Sequence, residues 1–459
     1  MSAYDINEKG YVYFLGIGGI SMSGLAMILK HNGYTVAGSD MSASKTTDEL
    51  KAMGIKVNIG HDAKNITRDI NLVVYTAAIK EDNPELMEAK KLGLDIMDRG
   101  SLLGDIMLKY DKSIAVSGTH GKTTTSSMVS EIFLSAGKDP TISLGGILPS
   151  INGTVKIGGK KYFIAEACEY YDSFLNIEPY IAVILNIEKD HLDYFKTIDR
   201  IRQSFRDFAN LVPDEGFIII NEKIENLSYI TEGARGRIFT FGISETSDFS
   251  AKNLELKDNG CYSFDVCYNG GTLDRITLAI PGVHNVENAL AAFASAYVSE
   301  ISVEEISAAL KGFSGAKRRF QHKGKINGAE VVDDYAHHPT EISATLKAAK
   351  GLKFNRVWCL FQPHTYSRTK AFLTEFAEAL SHADNIVLAP IYAAREKDTG
   401  EISSADIARI INKKFGKTAV SVDSFKEAEA FLRENLKDGD LLITMGAGDI
   451  YIVGETLVS

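Results

Sequence analysis

One stretch constrains this chain more than any other. Ser113-Ile114-Ala115-Val116-Ser117 reads as a short strand, and Gly118-Thr119-His120-Gly121-Lys122-Thr123-Thr124 follows it as a glycine-bracketed turn. A helix is expected from about Thr123 to Ala136. Such a turn aims backbone N–H groups and the positive end of the helix dipole at one point, which suits a phosphate. Lys122 adds a mobile positive charge over the phosphates, and Thr123 a hydroxyl for a divalent cation. The longer Walker pattern asks for glycine at position 116, where this chain has Val116, so the motif is the shorter GTHGKT form.

A second turn of the same kind lies nearer the start. Tyr11 to Leu15 reads as a buried strand and Gly16-Ile17-Gly18-Gly19-Ile20-Ser21-Met22-Ser23-Gly24 leads into a helix ending near Asn32; the next strand, Tyr34 to Gly38, runs into Ser39-Asp40. This resembles the dinucleotide fingerprint with Ser21 in place of its third glycine. It predicts an anion loop with Asp40 placed to accept from a ribose hydroxyl; close helix–strand packing is the alternative use of the glycines. Strands at 55–59, 72–76 and 95–97 alternate with helices over 46–53 and 84–92, the pattern of a parallel α/β sheet. The polar stretch Leu108 to Lys112 is the expected junction with the next domain.

Beyond the phosphate turn, a strand at 161–165 leads to Glu166-Ala167-Cys168-Glu169, and one at 180–187 leads to Glu188-Lys189-Asp190-His191. Ligands of parallel sheets gather at the carboxyl ends of strands. Glu166 and His191 therefore flank the turn, and mixed oxygen and imidazole ligation fits Mg²⁺ or Mn²⁺. A helix is expected over 197–211. Residues 216–280 read as a β-rich insertion without chemistry, turning at Asp258-Asn259-Gly260 and Asn269-Gly270-Gly271. An Ala-rich helix then starts at a capping Asn285; the amides of Asn285 and Asn288 either read an adenine edge or serve as caps.

After the junction at Lys317 to Phe320 comes a third α/β unit. Its strands at 331–334, 356–361, 385–389 and 440–444 end in polar residues, including Asp333-Asp334-Tyr335-Ala336-His337-His338 and Gln362-Pro363-His364-Thr365-Tyr366-Ser367-Arg368. Adjacent histidines and adjacent aspartates lack the i, i+4 spacing that converges zinc ligands, so substrate and nucleotide binding is the reading.

A length of 459 residues suggests two to four domains, and the junctions divide the chain at 1–110, 111–317 and 318–459. The net charge of −10 argues against nucleic-acid or membrane-surface partners, which need a basic face. Cys168, Cys261, Cys267 and Cys359 have no CxxC spacing, so reduced thiols of a cytosolic protein are expected. The polar opening MSAYDINEKG carries no apolar leader core, and no later run is long enough to anchor in a membrane. A cytoplasmic location is the default expectation.

Six stretches in order, GIGGISMSGLA, GTHGKTTT, EACEYYDSFL, HNVENALAA, DDYAHHPTEI and FQPHTYSRT, resemble the Mur ligases, in particular their alanine-adding branch, and the resemblance covers essentially the whole chain. It implies a Rossmann-like N-terminal domain for a UDP-sugar, a central P-loop ATPase α/β domain and a Rossmann-like C-terminal domain that closes over both. The implied reaction is the ATP-dependent joining of L-alanine to the lactyl carboxylate of UDP-N-acetylmuramate through an acyl phosphate, in peptidoglycan precursor synthesis. A monomer or weak homodimer is expected.

By the same resemblance, Gly18, Gly19, Ile20, Ser21, Met22, Ser23 and Asp40 belong to the UDP site. Gly118, Thr119, His120, Gly121, Lys122, Thr123 and Thr124 hold ATP phosphates, with Thr123, Glu166 and His191 around Mg²⁺. Asn288 contacts adenine; Arg319, Asp334 and His338 lie near the nucleotide; Tyr335, His337, His364 and Arg368 serve the muramoyl carboxylate and alanine. Arg368 is assigned the amino-acid carboxylate, because a guanidinium fork matches it bidentately. Lys122, His191, His337 and Arg368 are the candidate catalytic residues. Many Mur ligases carry a carbamoylated lysine in the helix after the DHxD turn; Ile201 to Asp207 has none, so no carbamate is expected. Thr365 stands where some relatives have arginine.

Overall fold

The computed structural model describes residues 9–394 and 396–459; the first eight residues of the polar opening lie outside the described residues. Two compact units are present. One runs up to Ser250 and includes Tyr268–Gly271 and Asn288–Ala309, and the other comprises Ala251–Cys267, Thr272–Glu287 and Leu310–Ser459.

The first unit holds two sheets, the first parallel throughout. β1 (Tyr11–Leu15), β2 (Thr35–Asp40), β3 (Lys56–Ile59), β4 (Leu72–Tyr75) and β5 (Asp95–Asp98) lie in the order β3-β2-β1-β4-β5. The chain leaves β1 where the order reverses, which opens a crevice at its carboxyl end beside the first glycine turn. The expected helix over 84–92 is Pro84–Leu92, with Asn83 accepting from the first amides, Pro84 at its start and a left-handed Gly93 at its end.

The second sheet is built from β6 (Lys112–Ser117), β7 (Thr141–Leu148), β8 (Gly153–Lys156), β9 (Tyr162–Glu166), β10 (Ile181–Ile184), β11 (Phe217–Asn221) and β12 (Arg237–Gly242), in the order β12-β11-β10-β6-β9-β7-β8. It is parallel except where β8 pairs antiparallel with β7. β6 again sits at a reversal, between β9 and β10, so the turn after it faces the ends of both neighbours. One expectation changes here. Residues 216–280 are not one insertion, because β11 and β12 continue the parallel sheet from β10. One apolar cluster spans the 108–112 junction, taking in Phe14, Leu25 and Met107 as well as Ala115, Phe163 and Phe205.

In the second unit, most of β13 (Phe249–Leu256) is followed by β14 (Tyr262–Tyr268) and β15 (Gly271–Thr277). A third sheet contains β16 (Gln321–Ile326), β17 (Ala329–Asp334), β18 (Val357–Phe361), β19 (Asn385–Leu388), β20 (Thr418–Ser421) and β21 (Leu441–Met445), in the order β16-β17-β21-β18-β19-β20. Only β16 runs antiparallel. Asp334 and Phe361 both register with Met445, so the polar segments after β17, β18 and β21 emerge side by side. Among the described residues no helix is long and apolar enough to cross a membrane.

Candidate active site

The phosphate turn is held open by its glycines. Gly118 has φ 136° and Gly121 φ 83°, backbone that a side chain rarely tolerates. A Cβ on Gly121 would also stand 2.7 Å from Asn288 Oδ1, which puts this predicted adenine contact against the turn. The turn is zipped to the segment after β10: His120 N–H donates to Asn186 Oδ1 at 2.7 Å, the Asn186 amide returns to His120 O at 3.0 Å, and Glu188 N–H donates to Thr119 Oγ1 at 2.9 Å. Helix Lys122–Ser135 starts from Gly121 with no side-chain cap, so its leading amides are not taken by a capping side chain.

Lys122 folds back into this turn. Its ammonium donates to Gly118 O, to Thr119 O at 3.2 Å and to Glu169, with 3.0 Å to Oε2. Burial works against the charged amine, but Glu169 outweighs it, helped by Cys168 and Glu166, and holds the pKa above the ordinary lysine value. Thr123 Oγ1 donates to Glu166 Oε2 at 3.2 Å, and Gly145 N–H donates to Glu166 Oε1 at 2.6 Å. Two of the three predicted metal ligands, Thr123 and Glu166, are thus adjacent hard oxygen donors at the mouth of the turn, a donor pair that fits Mg²⁺. The third, His191, has left-handed backbone at φ 51° and stacks on Tyr170 with ring centroids 4.1 Å apart.

At the first glycine turn, Asp40 reaches the loop itself: Gly18 N–H donates to Asp40 Oδ2 at 2.9 Å. Helix Ile20–His31 begins at Gly19 with no side-chain cap, and Ile20 is exposed. Met22 and Ser23 are buried, so of the predicted UDP contacts these two have backbone rather than side chains to offer. Arg99 donates to Ser21 Oγ at 3.0 Å, bringing a cation to this turn.

In the second unit, Tyr335, His337 and His364 form a chain of rings, with centroids 5.4 Å apart for the first pair and 5.9 Å for the second. Tyr392 stacks on His364, and the Arg319 guanidinium lies 5.0 Å from the Tyr335 ring centroid. Asp334 accepts from Phe320 N–H and Ala336 N–H, both at 2.8 Å. Burial pushes its carboxyl up to about 6 against the pull of Arg319. His338 caps helix Pro339–Lys350 in a capping box with Glu341. Thr365, at φ 65°, caps helix Tyr366–Ala371, which carries Arg368. Asn285 is not the cap it was expected to be: it lies inside helix His284–Tyr297 and donates to Pro281 O at 2.7 Å.

Three residues that the sequence reading passed over belong to these constellations. Glu169 was visible only as the second acid of EACE, and Arg99 carried no local signal because its partner is 78 residues away. Tyr392 lies on a strand-end loop whose neighbour only the topology reveals.

Three family models match in succession: the Mur ligase family catalytic domain over 11–111, the Mur ligase middle domain over 116–296 and the Mur ligase glutamate ligase domain over 318–448. A UDP-N-acetylmuramate–L-alanine ligase of Lachnospira eligens is 52% identical over 459 residues, all of both chains. One of Caldanaerobacter subterraneus subsp. tengcongensis is 50% identical over 98% of each. Among solved structures, the UDP-N-acetylmuramate-alanine ligase of Thermotoga maritima superposes with a TM-score of 0.83 at 29% identity, covering 98% of each chain. A murein peptide ligase of Psychrobacter arcticus reaches 0.74 at 27% identity over the same coverage.

Proposed function

The chain belongs to the Mur ligase family, and on that premise we propose that it joins L-alanine to the lactyl carboxylate of UDP-N-acetylmuramate at the expense of ATP, in the cytoplasmic synthesis of peptidoglycan precursors. The carrying observation is the full-length match at about half identity to ligases of that name, on a chain whose GTHGKT turn is bracketed by glycines with positive φ.

A carboxylate does not acylate an amine directly, because its oxygen is a poor leaving group. Transfer of the γ-phosphoryl from ATP to the carboxylate oxygen breaks the terminal phosphoanhydride bond and gives ADP and an acyl phosphate. The alanine amine then attacks the acyl carbon, loses a proton, and expels phosphate from the tetrahedral intermediate. Lys122 and the amides of the 118–124 turn offset charge on the phosphoryl oxygens, which is positioning and electrostatics rather than covalent work. Thr123 and Glu166 would hold Mg²⁺, with His191 as the third ligand; the ion supplies further charge neutralisation. Asn288 serves adenine from beside Gly121, and Arg319, Asp334 and His338 serve the nucleotide from the C-terminal domain.

The first glycine turn and Asp40 hold the UDP moiety, with Arg99 as a countercharge to its diphosphate. Tyr335, His337 and His364 line the place of the muramoyl carboxylate and alanine, whose own carboxylate pairs with Arg368. Domains of 1–110, 111–317 and 318–459 carry these three tasks. Phosphate release measured with UDP-N-acetylmuramate, ATP and Mg²⁺ should rise strongly on adding L-alanine. Release that ignores the amino acid, or that responds to a tripeptide instead, would overturn the assignment.

A further inference from the structure

We propose that Glu169 is a positioning residue for phosphoryl transfer, anchoring the Lys122 ammonium inside the phosphate turn; this rests on the reading of that turn as the ATP site. Glu169 is only 3% exposed and presents both carboxylate oxygens to Lys122 Nζ, at 3.0 and 3.3 Å. An ammonium has three donors, and here they meet three acceptor groups: Gly118 O, Thr119 O and the Glu169 carboxylate.

The acceptors are unequal. All three bonds are charge-assisted by the ammonium, but only the carboxylate brings a full opposite charge, so it holds Lys122 more firmly than either carbonyl does. Phosphate oxygens entering the turn therefore displace the two carbonyls before they displace Glu169. Lys122 pivots on its carboxylate anchor and reaches the phosphates from a fixed base. Without the anchor, a flexible four-carbon stem must be ordered anew in each turnover.

The chain around Glu169 is shaped for this duty. Tyr171 and Asp172 take left-handed backbone, at φ 55° and 53°, two and three residues after it. Tyr170, the next residue, supplies the ring on which His191 stacks. Two consecutive side chains thus hold a cation and an imidazole, Glu169 the Lys122 ammonium and Tyr170 the His191 ring.

The test is a double-mutant cycle in the full-length enzyme, with phosphate release as the rate and direct titration of UDP-N-acetylmuramate as the control. Glu169→Gln should lower kcat about 30-fold while sugar-nucleotide affinity stays within about 2-fold. Glu169→Asp should recover most of the loss. In a Lys122→Ala background, Glu169→Gln should change the residual rate by less than about 2-fold, because the anchor has nothing left to hold. A wild-type rate for Glu169→Gln overturns the proposal, and so does an equal loss in both backgrounds, which marks a merely structural role. If Glu169→Gln does not fold, the Lys122→Met/Glu169→Gln double variant should, since it removes the unpaired buried amine; a double variant that also fails to fold overturns the pairing. Full activity of Lys122→Ala alone would instead sink the ATP-site reading.

Discussion

The two glycine turns of the first unit share a plan and differ in what they do with charge. Each follows a buried strand at a reversal of sheet order, and each opens a helix that no side chain caps. The turn after β6 contains a lysine, held within it by a buried acid, and beside it Thr123 meets Glu166. The turn after β1 contains no cation of its own; Arg99 arrives from the helix after β5, and Asp40 binds the backbone of Gly18. A turn that only binds a diphosphate needs amides and a fixed countercharge. A turn at which a phosphoryl group leaves needs a cation that can follow the developing charge. The contrast predicts that substitutions in the second turn act on kcat and those in the first on KM.

The sharpest way to break this comparison is Lys122→Ala. Turnover should fall about 10³-fold with sugar-nucleotide binding intact by calorimetry. A rise in KM for the sugar nucleotide at unchanged kcat would mean that the two turns have been assigned the wrong way round. Gly121→Ala comes next. It forces a side chain into left-handed backbone and against Asn288, so kcat should fall about 10²-fold, with a lower melting temperature by calorimetric scan.

Arg99→Ala tests the other turn. Losing a charge-assisted contact to a bound diphosphate should raise KM for the sugar nucleotide about 10-fold and leave kcat within about 2-fold, read from steady-state kinetics. A fall in kcat at constant KM would place Arg99 with the reacting groups instead.

The pattern in the chain was legible wherever the signal was local. β1, helix Pro84–Leu92 and the strand–turn–helix around Lys122 all declare themselves through runs of apolar residues, caps and glycines. What escaped depends on pairings across the chain. Polar residues at 108–112 mark a surface turn, but nothing local says that Met107 and Phe163 share one apolar cluster. Residues 217–242 look like any β-rich stretch until β11 is seen to lie parallel to β10. Asp40 is expected from its place after β2 to accept from a ribose hydroxyl; that it also accepts from the Gly18 amide is seen only in the fold. Glu169 and Arg99 are ordinary charges in the sequence, and only the fold brings each to its partner.

Gly18→Ala gives the smallest and most discriminating effect. Its backbone is not left-handed, so the substitution carries no strain of that kind; what a methyl meets is Asp40 Oδ2 at 2.8 Å and Thr47 Cγ2 at 3.0 Å. The carboxylate is the movable neighbour, and shifting it loosens the 2.9 Å bond from the Gly18 amide. KM for the sugar nucleotide should rise about 3-fold with kcat unchanged, a cost of under about 1 kcal/mol. Because the methyl acts through Asp40, the effect should shrink once Asp40→Ala has removed the carboxylate, giving a non-additive pair. Additive effects would mean that the amides of this turn and Asp40 act on the ligand separately, and the first turn would then differ from the second only in lacking a lysine.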